Sequence, residues 1–269
     1  MALKNHIHTQ HKSEEKTMKN FFLVSFFLSV ITLSIHNLSF ANNYEEMAYI
    51  AAQDFGITQD NVNYIYKEII SNDQDMIMSI LSQYLKMSQC DKASYWEHNI
   101  NIDKTTQTEL LAIKQYNGDC IQQDVQSSIY NMKQCAKENI YCKRNLMLML
   151  LADEYKNKEE YSLLVKEMAD YGFPEAMYIL TQLYLGNGGV IPSNEEAYFW
   201  CLLGISRTND KYSRNSLIGV KTALETIISD LATKRIAQKA NKWKPQKLPK
   251  KLQNSNPLVT NYYGLKPLN

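Results

Sequence analysis

The chain has 269 residues, of which 45% are hydrophobic, and its formal net charge is +1. Residues 42–269 are long enough for a single elongated helical array or for two small helical units. Four of the five histidines lie within positions 1–41, so the rest of the chain retains His98 alone. These counts exclude a multi-histidine metal site from residues 42–269, and we expect neither a metal site nor a cofactor.

The segment 1–41 has the pattern of a secretory signal peptide. Lys19 precedes an unbroken, largely apolar run, Phe21–Ile35, and the small-x-small sequence Ser39–Ala41 follows it. The run is shorter than the roughly 20 apolar residues that span a bilayer. We therefore expect cleavage after Ala41, a periplasmic or secreted location, and no transmembrane segment in the mature chain. Met18 is an alternative start of translation.

Residues 42–143 have the apolar spacing of short helices. Hydrophobic residues recur every three or four positions in four stretches, which lie at 47–55, 62–70, 76–85 and 110–116. Gly56, Asn72 and Gly118 separate or end these stretches, and no alternation typical of a strand occurs between them. This region is expected to hold diverged helical repeats or a cap at one end of a helical array.

All five cysteines follow the predicted cleavage site. Cys201 lies on an apolar helical stripe beside Trp200, so we interpret it as a small buried hydrophobic residue. In an oxidising compartment the other four are disulfide candidates, and three connectivities are open to Cys90, Cys120, Cys135 and Cys142. A bond between the last two, seven residues apart, requires a turn between them, which residues 138–139 could supply.

Residues 174–203 predict a helical hairpin. Gly172 can end one helix in a left-handed conformation, and Pro174 suits the first position of the next. A glycine-rich turn at 186–189 separates this helix from a second one. Ser193 and Glu196 have the spacing of a capping box at the start of that second helix. Such a hairpin cannot bury its apolar face alone, so it is expected to stack on neighbouring hairpins.

This hairpin resembles the Sel1-like repeat, a relative of the tetratricopeptide repeat. The matching positions are Ala176, Leu180, Tyr184, Gly189, Val190, Glu196, Ala197 and Trp200. A second, degenerate copy places Leu150–Tyr155 over Ile179–Tyr184 at an offset of 29 residues. The run 223–245 resembles the closing helices of bacterial arrays of this kind. The chain differs from the family pattern at Thr181, at Ser193 and in the position of the loop glycine.

The resemblance implies an all-α solenoid of helical hairpins with a diverged helical N-terminal region. Related cysteine-rich Sel1-like proteins have disulfides within helical hairpins, which favours Cys135–Cys142 and leaves Cys90–Cys120 as the second pair. In tetratricopeptide-type stacks the first helix of each hairpin lines the concave face. The partner-binding candidates on that face are Asp153, Tyr178 and Gln182. The repeat type, with a composition rich in Asn, Lys, Ile and Tyr, favours a Gram-negative periplasm.

The sequence contains no recognisable catalytic constellation. No Gly-x-Ser-x-Gly or Ser-x-x-Lys motif occurs in the mature chain, and His98 is interpreted as a partly exposed structural residue. The acidic pairs at 153–154, 159–160 and 195–196 are adjacent in sequence, so their side chains diverge on a helix. We expect no catalytic residue. The alternative is an envelope enzyme or binder for β-lactam or peptidoglycan-like ligands, with which cysteine-rich relatives have been linked.

The C-terminal segment is strongly basic. Nine lysines and arginines and no acidic residue follow Asp230, whereas residues 42–230 contain 26 acidic and 16 basic residues. This asymmetry favours either a tail that lies along the body or a tail that contacts an anionic partner such as an envelope surface. Four prolines predict that the segment 245–269 is extended or disordered. A nucleic-acid partner is not expected for an exported protein.

The sequence therefore predicts four segments. They are an upstream segment and signal peptide at 1–41, a helical region at 42–143, repeats and closing helices at 144–243, and a basic tail at 244–269. The expected function is binding of another protein through the solenoid surface, without catalysis. The protein would be an adaptor or an immunity protein that neutralises a toxic effector.

Overall fold

The computed structural model describes residues 46–47, 49–51, 53–56, 67–68, 73–152 and 158–266. The predicted signal peptide and the candidate residue Asp153 lie outside these residues. The chain divides into two compact units, the first ending at Ile80 and the second beginning at Leu81. Both disulfides and the whole C-terminal half of the chain belong to the second unit.

All regular secondary structure in the described residues is helical, which confirms the predicted all-α class. Helical residues occur at 46–54, with two gaps, and at 67–68, and eleven α-helices follow. Their bounds are α1 Gln74–Lys86, α2 Cys90–Asn99, α3 Lys104–Asn117, α4 Val125–Cys135, α5 Ile140–Ala152, α6 Lys158–Asp170, α7 Pro174–Gln182, α8 Asn194–Arg207, α9 Lys211–Glu225, α10 Asp230–Lys242 and α11 Leu258–Tyr262. Among the described helices, none has the length and apolar character needed to cross a bilayer.

Short polar side chains define where several helices begin. Asp103, Asp124, Asp210 and Ser229 each accept a hydrogen bond from a backbone N–H in the first turn of the helix that follows. The left-handed Gly118, with φ of 72°, ends α3, as its position after Asn117 predicts. These contacts are local, so the positions of the helix ends follow from short stretches of sequence.

The predicted capping box at α8 forms only in part. The Ser193 hydroxyl accepts from the Glu196 N–H at 3.2 Å, as expected. The Ser193 N–H, however, donates to the carbonyl of Tyr184 at 2.9 Å, and the Glu196 carboxylate lies 3.5 Å from the Lys239 ammonium. The reciprocal bond of the capping box is therefore replaced by contacts to the preceding π-type turn, Leu183–Asn187, and to α10.

Consecutive helices from α3 to α9 pack on one another, and α8 also packs on α10. Small residues permit the close approach of α7, α8 and α9. A Cβ atom added to Gly204 on α8 would lie 2.8 Å from Leu217 Cδ1 on α9 and 3.7 Å from Met177 Cβ on α7. Ala176 and Ala197 are fully buried in the same region. The small residues in the sequence thus lie where the helices are in closest contact.

Two disulfides join neighbouring helices. Cys90, the first residue of α2, is bonded to Cys120 just after α3, with 5.2 Å between their Cα atoms. Cys135 at the end of α4 is bonded to Cys142 in the first turn of α5, across 5.7 Å. These are the two pairs that the resemblance favoured, and the turn between the last two covers residues 136–139 as required. Cys201 is a buried free thiol.

The segment that follows α10 is packed rather than disordered. We refer to residues 243–266 as the strap. It runs from α10 back to α3, and it contains a short 3₁₀ turn at Lys250–Leu252 and helix α11. Its apolar residues Leu252, Leu258, Val259 and Tyr263 are buried. The prediction of disorder is therefore wrong for these residues, whereas much of the strap outside its two short helical segments has no regular secondary structure, as expected for an extended tail. Of the two arrangements that the charge asymmetry favours, the structure shows the tail along the body.

Hydrogen bonds attach the strap to elements far away in sequence. The Gln246 N–H donates to the Asp170 carbonyl at 2.8 Å. The Ile140 N–H, at the start of α5, donates to the Ser255 hydroxyl at 2.8 Å. The Tyr263 hydroxyl donates to the buried Asp119 carboxylate, which also pairs with the Lys266 ammonium. Proline limits the backbone freedom of the strap, but these contacts and the apolar side chains hold it in place.

The contact at Gly204 predicts a difference between two glycine-to-alanine substitutions. Both Gly204 and Gly219 lie inside helices, where alanine is favoured over glycine by about 1 kcal/mol. Gly219 has no heavy atom within 4 Å of an added Cβ, so Gly219→Ala should raise the free energy of unfolding. Gly204→Ala must displace the buried Leu217 side chain, and should be the less stable of the two by about 1–3 kcal/mol. Urea unfolding of both variants measures this difference, and equal stabilities would contradict the close contact.

Candidate functional site

Helices α5, α7 and α9 line a groove that consists of two adjoining cavities. The first cavity, between α5, α6 and α7, has a volume of about 510 Å³, and the second, between α5, α7 and the start of α9, has about 430 Å³. Leu151, Tyr178 and Ile179 line both of them. These three side chains form the centre of the groove, with Tyr178 on α7 between the flanking helices.

The first cavity is mainly apolar. Its apolar lining comes from Leu150, Leu151, Ile179 and Leu183, and polar groups come from Lys158, Tyr161, Gln182 and Asn187. The Tyr161 hydroxyl is buried and has no hydrogen-bond partner among the described residues. Burial raises the pKa of this phenol above its usual range, so Tyr161 is a neutral donor at physiological pH. Lys158 is exposed and forms no ion pair with the described part of the chain.

The second cavity has charged residues, and they are engaged with neighbours. The Glu175 carboxylate accepts from Arg144 at 2.6 Å, and the Asp210 carboxylate caps α9 by accepting from the Ser213 N–H at 2.6 Å. The Arg207 guanidinium lies over the Trp243 ring, 4.8 Å from its centroid. Since these charges already have partners, this half of the groove is available mainly for apolar and neutral polar contacts.

The structure brings Tyr178 and Gln182, two of the three predicted binding residues, to the same cavity. The Tyr178 hydroxyl is also 3.4 Å from the Ser216 hydroxyl on α9. The groove residue Leu151, which is 50% exposed, was missed, because the binding candidates were chosen among polar and aromatic residues. The repeat offset was a usable signal, since it aligns Leu150 and Leu151 with the groove-lining helix α7.

The side chains considered for catalysis do not converge. His98 is exposed in the last turn of α2, and its Nδ1 lies 2.6 Å from the Ser94 carbonyl. The pairs at Glu159–Glu160 and Glu195–Glu196 lie in the first turns of α6 and α8, where negative charge complements the helix dipole. The buried Cys201 thiol has a pKa raised to about 12 by burial, so it is not a thiolate at neutral pH.

A second polar cluster lies under the strap, around Glu109 on α3. The Glu109 side chain is fully buried. Its Oε1 accepts hydrogen bonds from Thr260 of the strap at 2.7 Å and from Asn145 of α5 at 3.1 Å, while Oε2 has no partner among the described residues. A carboxylate oxygen lies within 4.8 Å of the sulfur atoms of Cys135 and Cys142. Because both sulfurs are bonded to each other, they are not thiolate ligands in this state.

Burial is the main reason that the pKa of Glu109 rises from 4.5 to about 7. The hydrogen bonds from Thr260 and Asn145 oppose this increase, and the negative charge of Asp103 adds to it. The cluster couples the strap to α3 and α5, and it lies inside the protein. We therefore treat the groove, and not this cluster, as the candidate binding site.

Comparison with known proteins assigns no identity to the site. No protein-family model, curated protein or solved structure matches the chain.

The raised pKa of Glu109 predicts a pH-dependent stability difference. An acid whose folded-state pKa is raised stabilises the fold in its protonated form, and this contribution is lost as the pH rises from about 4.5 to about 7. Glu109→Gln keeps the Oε1 acceptor but cannot ionise. The variant should match the wild type near pH 4 and exceed its free energy of unfolding above pH 8, by on the order of 3 kcal/mol at most.

Urea unfolding of both proteins at pH 4 and pH 8 measures this difference. Glu138→Gln is the control. Glu138 is exposed and lies in the turn between the disulfide-bonded Cys135 and Cys142, and its substitution should not change how the free energy of unfolding depends on pH. A constant difference between Glu109→Gln and the wild type at the two pH values would show that folding does not raise the pKa of Glu109.

Proposed function

We propose that this protein is an exported member of the Sel1-like class that binds another protein in the groove between α5, α7 and α9. The observation that supports this proposal best is the apolar centre of the groove, where Leu151 is half exposed, Tyr178 is partly exposed and the buried Ile179 contributes to the lining. A tyrosine flanked by aliphatic side chains offers a large contact area and a hydroxyl for a directed hydrogen bond.

The dimensions and charges of the groove favour a polypeptide. Its two cavities, of about 510 and 430 Å³, share one row of side chains, so that a single occupant could extend from α6 to α9. Glu175, Asp210 and Arg207 have intramolecular partners, which leaves apolar contact as the main source of affinity. Gln182 and Asn187 provide amide groups at one end, and such groups pair with peptide N–H and carbonyl groups.

The sequence supports binding outside the cytoplasm. Residues 1–41 have the pattern of a cleaved export signal, and the structure pairs four cysteines as two disulfides. Disulfides persist in oxidising compartments such as the periplasm. The Sel1-like resemblance adds the expectation that the first helix of each hairpin lines the binding face, and α5, α7 and α9 would be those helices.

A specific form of the proposal is an immunity protein that neutralises a toxic effector. Immunity proteins need tight one-to-one binding, and an apolar groove with a central aromatic residue is suited to this task. An adaptor would use the same groove with lower affinity and more than one partner. The two forms are distinguished by the stoichiometry and the identity of the captured protein.

Substitution of Leu151 by aspartate is expected to abolish partner binding. The charge would lie at the junction of the two cavities and would have to be desolvated by the bound protein. We expect the affinity to fall at least about 30-fold, which corresponds to the roughly 2 kcal/mol of a strong interface residue. The measurement is crosslinked affinity capture from the host periplasm, followed by titration of the purified partner.

Leu163→Asp is the matched control. Leu163 lies on α6, is 62% exposed against 50% for Leu151, and lines neither cavity of the groove. A partner that is retained by the wild type and the control but lost by Leu151→Asp supports the proposal. A partner retained equally by both variants would place its binding site elsewhere, and capture of no specific partner by the folded wild type would refute protein binding.

A further inference from the structure

The strap is anchored by its uncharged residues, and most of its lysines have no partners. Leu252, Leu258, Val259 and Tyr263 supply its buried contacts, and the Ser255 and Thr260 hydroxyls supply hydrogen bonds. The lysines from α10 to the 3₁₀ turn are all exposed, and none forms an ion pair with the described part of the chain, apart from Lys239. The unpaired residues are Lys234, Lys242, Lys244, Lys247, Lys250 and Lys251.

Several acidic residues near this segment are paired with other cations. Asp170, whose carbonyl accepts from Gln246, lies 3.4 Å from the Lys166 ammonium. Glu195 and Glu196 on α8 pair with Arg235 and Lys239, respectively. Asp230 and, near Lys251, Asp103 and Glu138 have no cation partner among the described residues, but no described carboxylate lies within ion-pair distance of any of the six lysines. We define these six residues as the basic surface.

Two exposed apolar side chains lie at the start of α10, close to Lys234 at one end of the basic surface. Leu231, in the first turn of α10, is 81% exposed, and Ile227, just before that helix, is 66% exposed. Leu231, Lys234 and Lys242 lie on the same side of α10, because residues three and eleven positions apart on a helix point in similar directions. Leu231 thus lies at one end of a row that continues with two unpaired lysines on the same side of the helix.

We infer that this face binds the surface of an anionic phospholipid membrane. Lysines near such a surface are attracted to the negative head groups, and an exposed leucine or isoleucine can enter the boundary between head groups and acyl chains. A nucleic acid would attract the lysines equally but would leave Ile227 and Leu231 exposed to water. The predicted export of the chain also favours a lipid partner. This inference is independent of the groove.

The test uses residues 42–269 with vesicles of phosphatidylcholine, either pure or with phosphatidylglycerol as roughly one lipid in three. Sedimentation of vesicles measures the bound fraction at low and high salt. We expect binding to the anionic vesicles alone, and we expect it to decrease steeply as salt screens the lysines. The triple variant Lys242→Gln, Lys244→Gln and Lys247→Gln should bind about 100-fold more weakly, at roughly a factor of five per lysine.

The matched control, Lys86→Gln, Lys211→Gln and Arg214→Gln, neutralises three exposed cations that are not part of the basic surface and that do not line the cavity of Lys251, and so changes the net charge by the same amount. It should bind within a few-fold of the wild type. Leu231→Ser should weaken binding several-fold at every salt concentration, because its contribution is apolar. Circular dichroism confirms that each variant is folded, which is expected since the substituted side chains are exposed.

Three results would overturn the inference. The first is a lack of binding to anionic vesicles at low salt by the folded wild type. The second is an equal loss of binding in both triple variants, which would assign the effect to net charge alone. The third is tighter binding to a single-stranded DNA oligonucleotide than to the vesicles, with no effect of Leu231→Ser, which would assign the face to nucleic acid.

Discussion

The docking of the strap on α3 and α5 is the contact on which several other features depend. Thr260 donates to Glu109, and Tyr263 donates to Asp119, so two carboxylates on or just after α3 are covered by the same segment. The strap thereby removes Glu109 from water and orders residues whose composition alone predicts no packed structure. It also determines which strap side chains are buried, and so leaves the lysines of the basic surface on the outside.

The two disulfides restrain the part of the molecule on which the strap docks. Cys90–Cys120 connects α2 to the end of α3, and Cys135–Cys142 connects α4 to α5; α3 and α5 are the helices that receive the C-terminal half of the strap. A disulfide stabilises a fold mainly by restricting the unfolded chain. The groove extends farther along the array: of its three helices only α5 carries a disulfide cysteine, and α7, α8 and α9 pack through Gly204, Ala176 and Ala197. Disulfides thus restrain the helices from α2 to α5, whereas apolar packing holds α7, α8 and α9 together.

The groove and the basic surface differ in the interactions that they offer. In the groove, charged residues are mostly paired within the protein, so apolar contact and a few neutral hydrogen-bonding groups dominate. On the basic surface the charges are unpaired, and the interaction is electrostatic, long in range and sensitive to salt. A protein with both could be concentrated at a membrane while its groove remains available to a soluble or membrane-associated partner.

The sequence by itself determined the helical class, the positions of several helix ends and the chemistry of the cysteines. These properties depend on residues within a few positions of one another: the 3.6-residue period, a cap such as Ser193, a left-handed glycine such as Gly118. It also predicted that Tyr178 and Gln182 share a binding face, through the hairpin pattern. Only the tertiary structure decided that the strap packs on the body, that Leu151 is exposed and that Glu109 is buried. The physical reason is distance along the chain, since Glu109 and Thr260 are 151 residues apart, and no local pattern records such a contact. A count of charges likewise shows that the tail is basic, but whether its lysines are paired depends on which strap residues are buried.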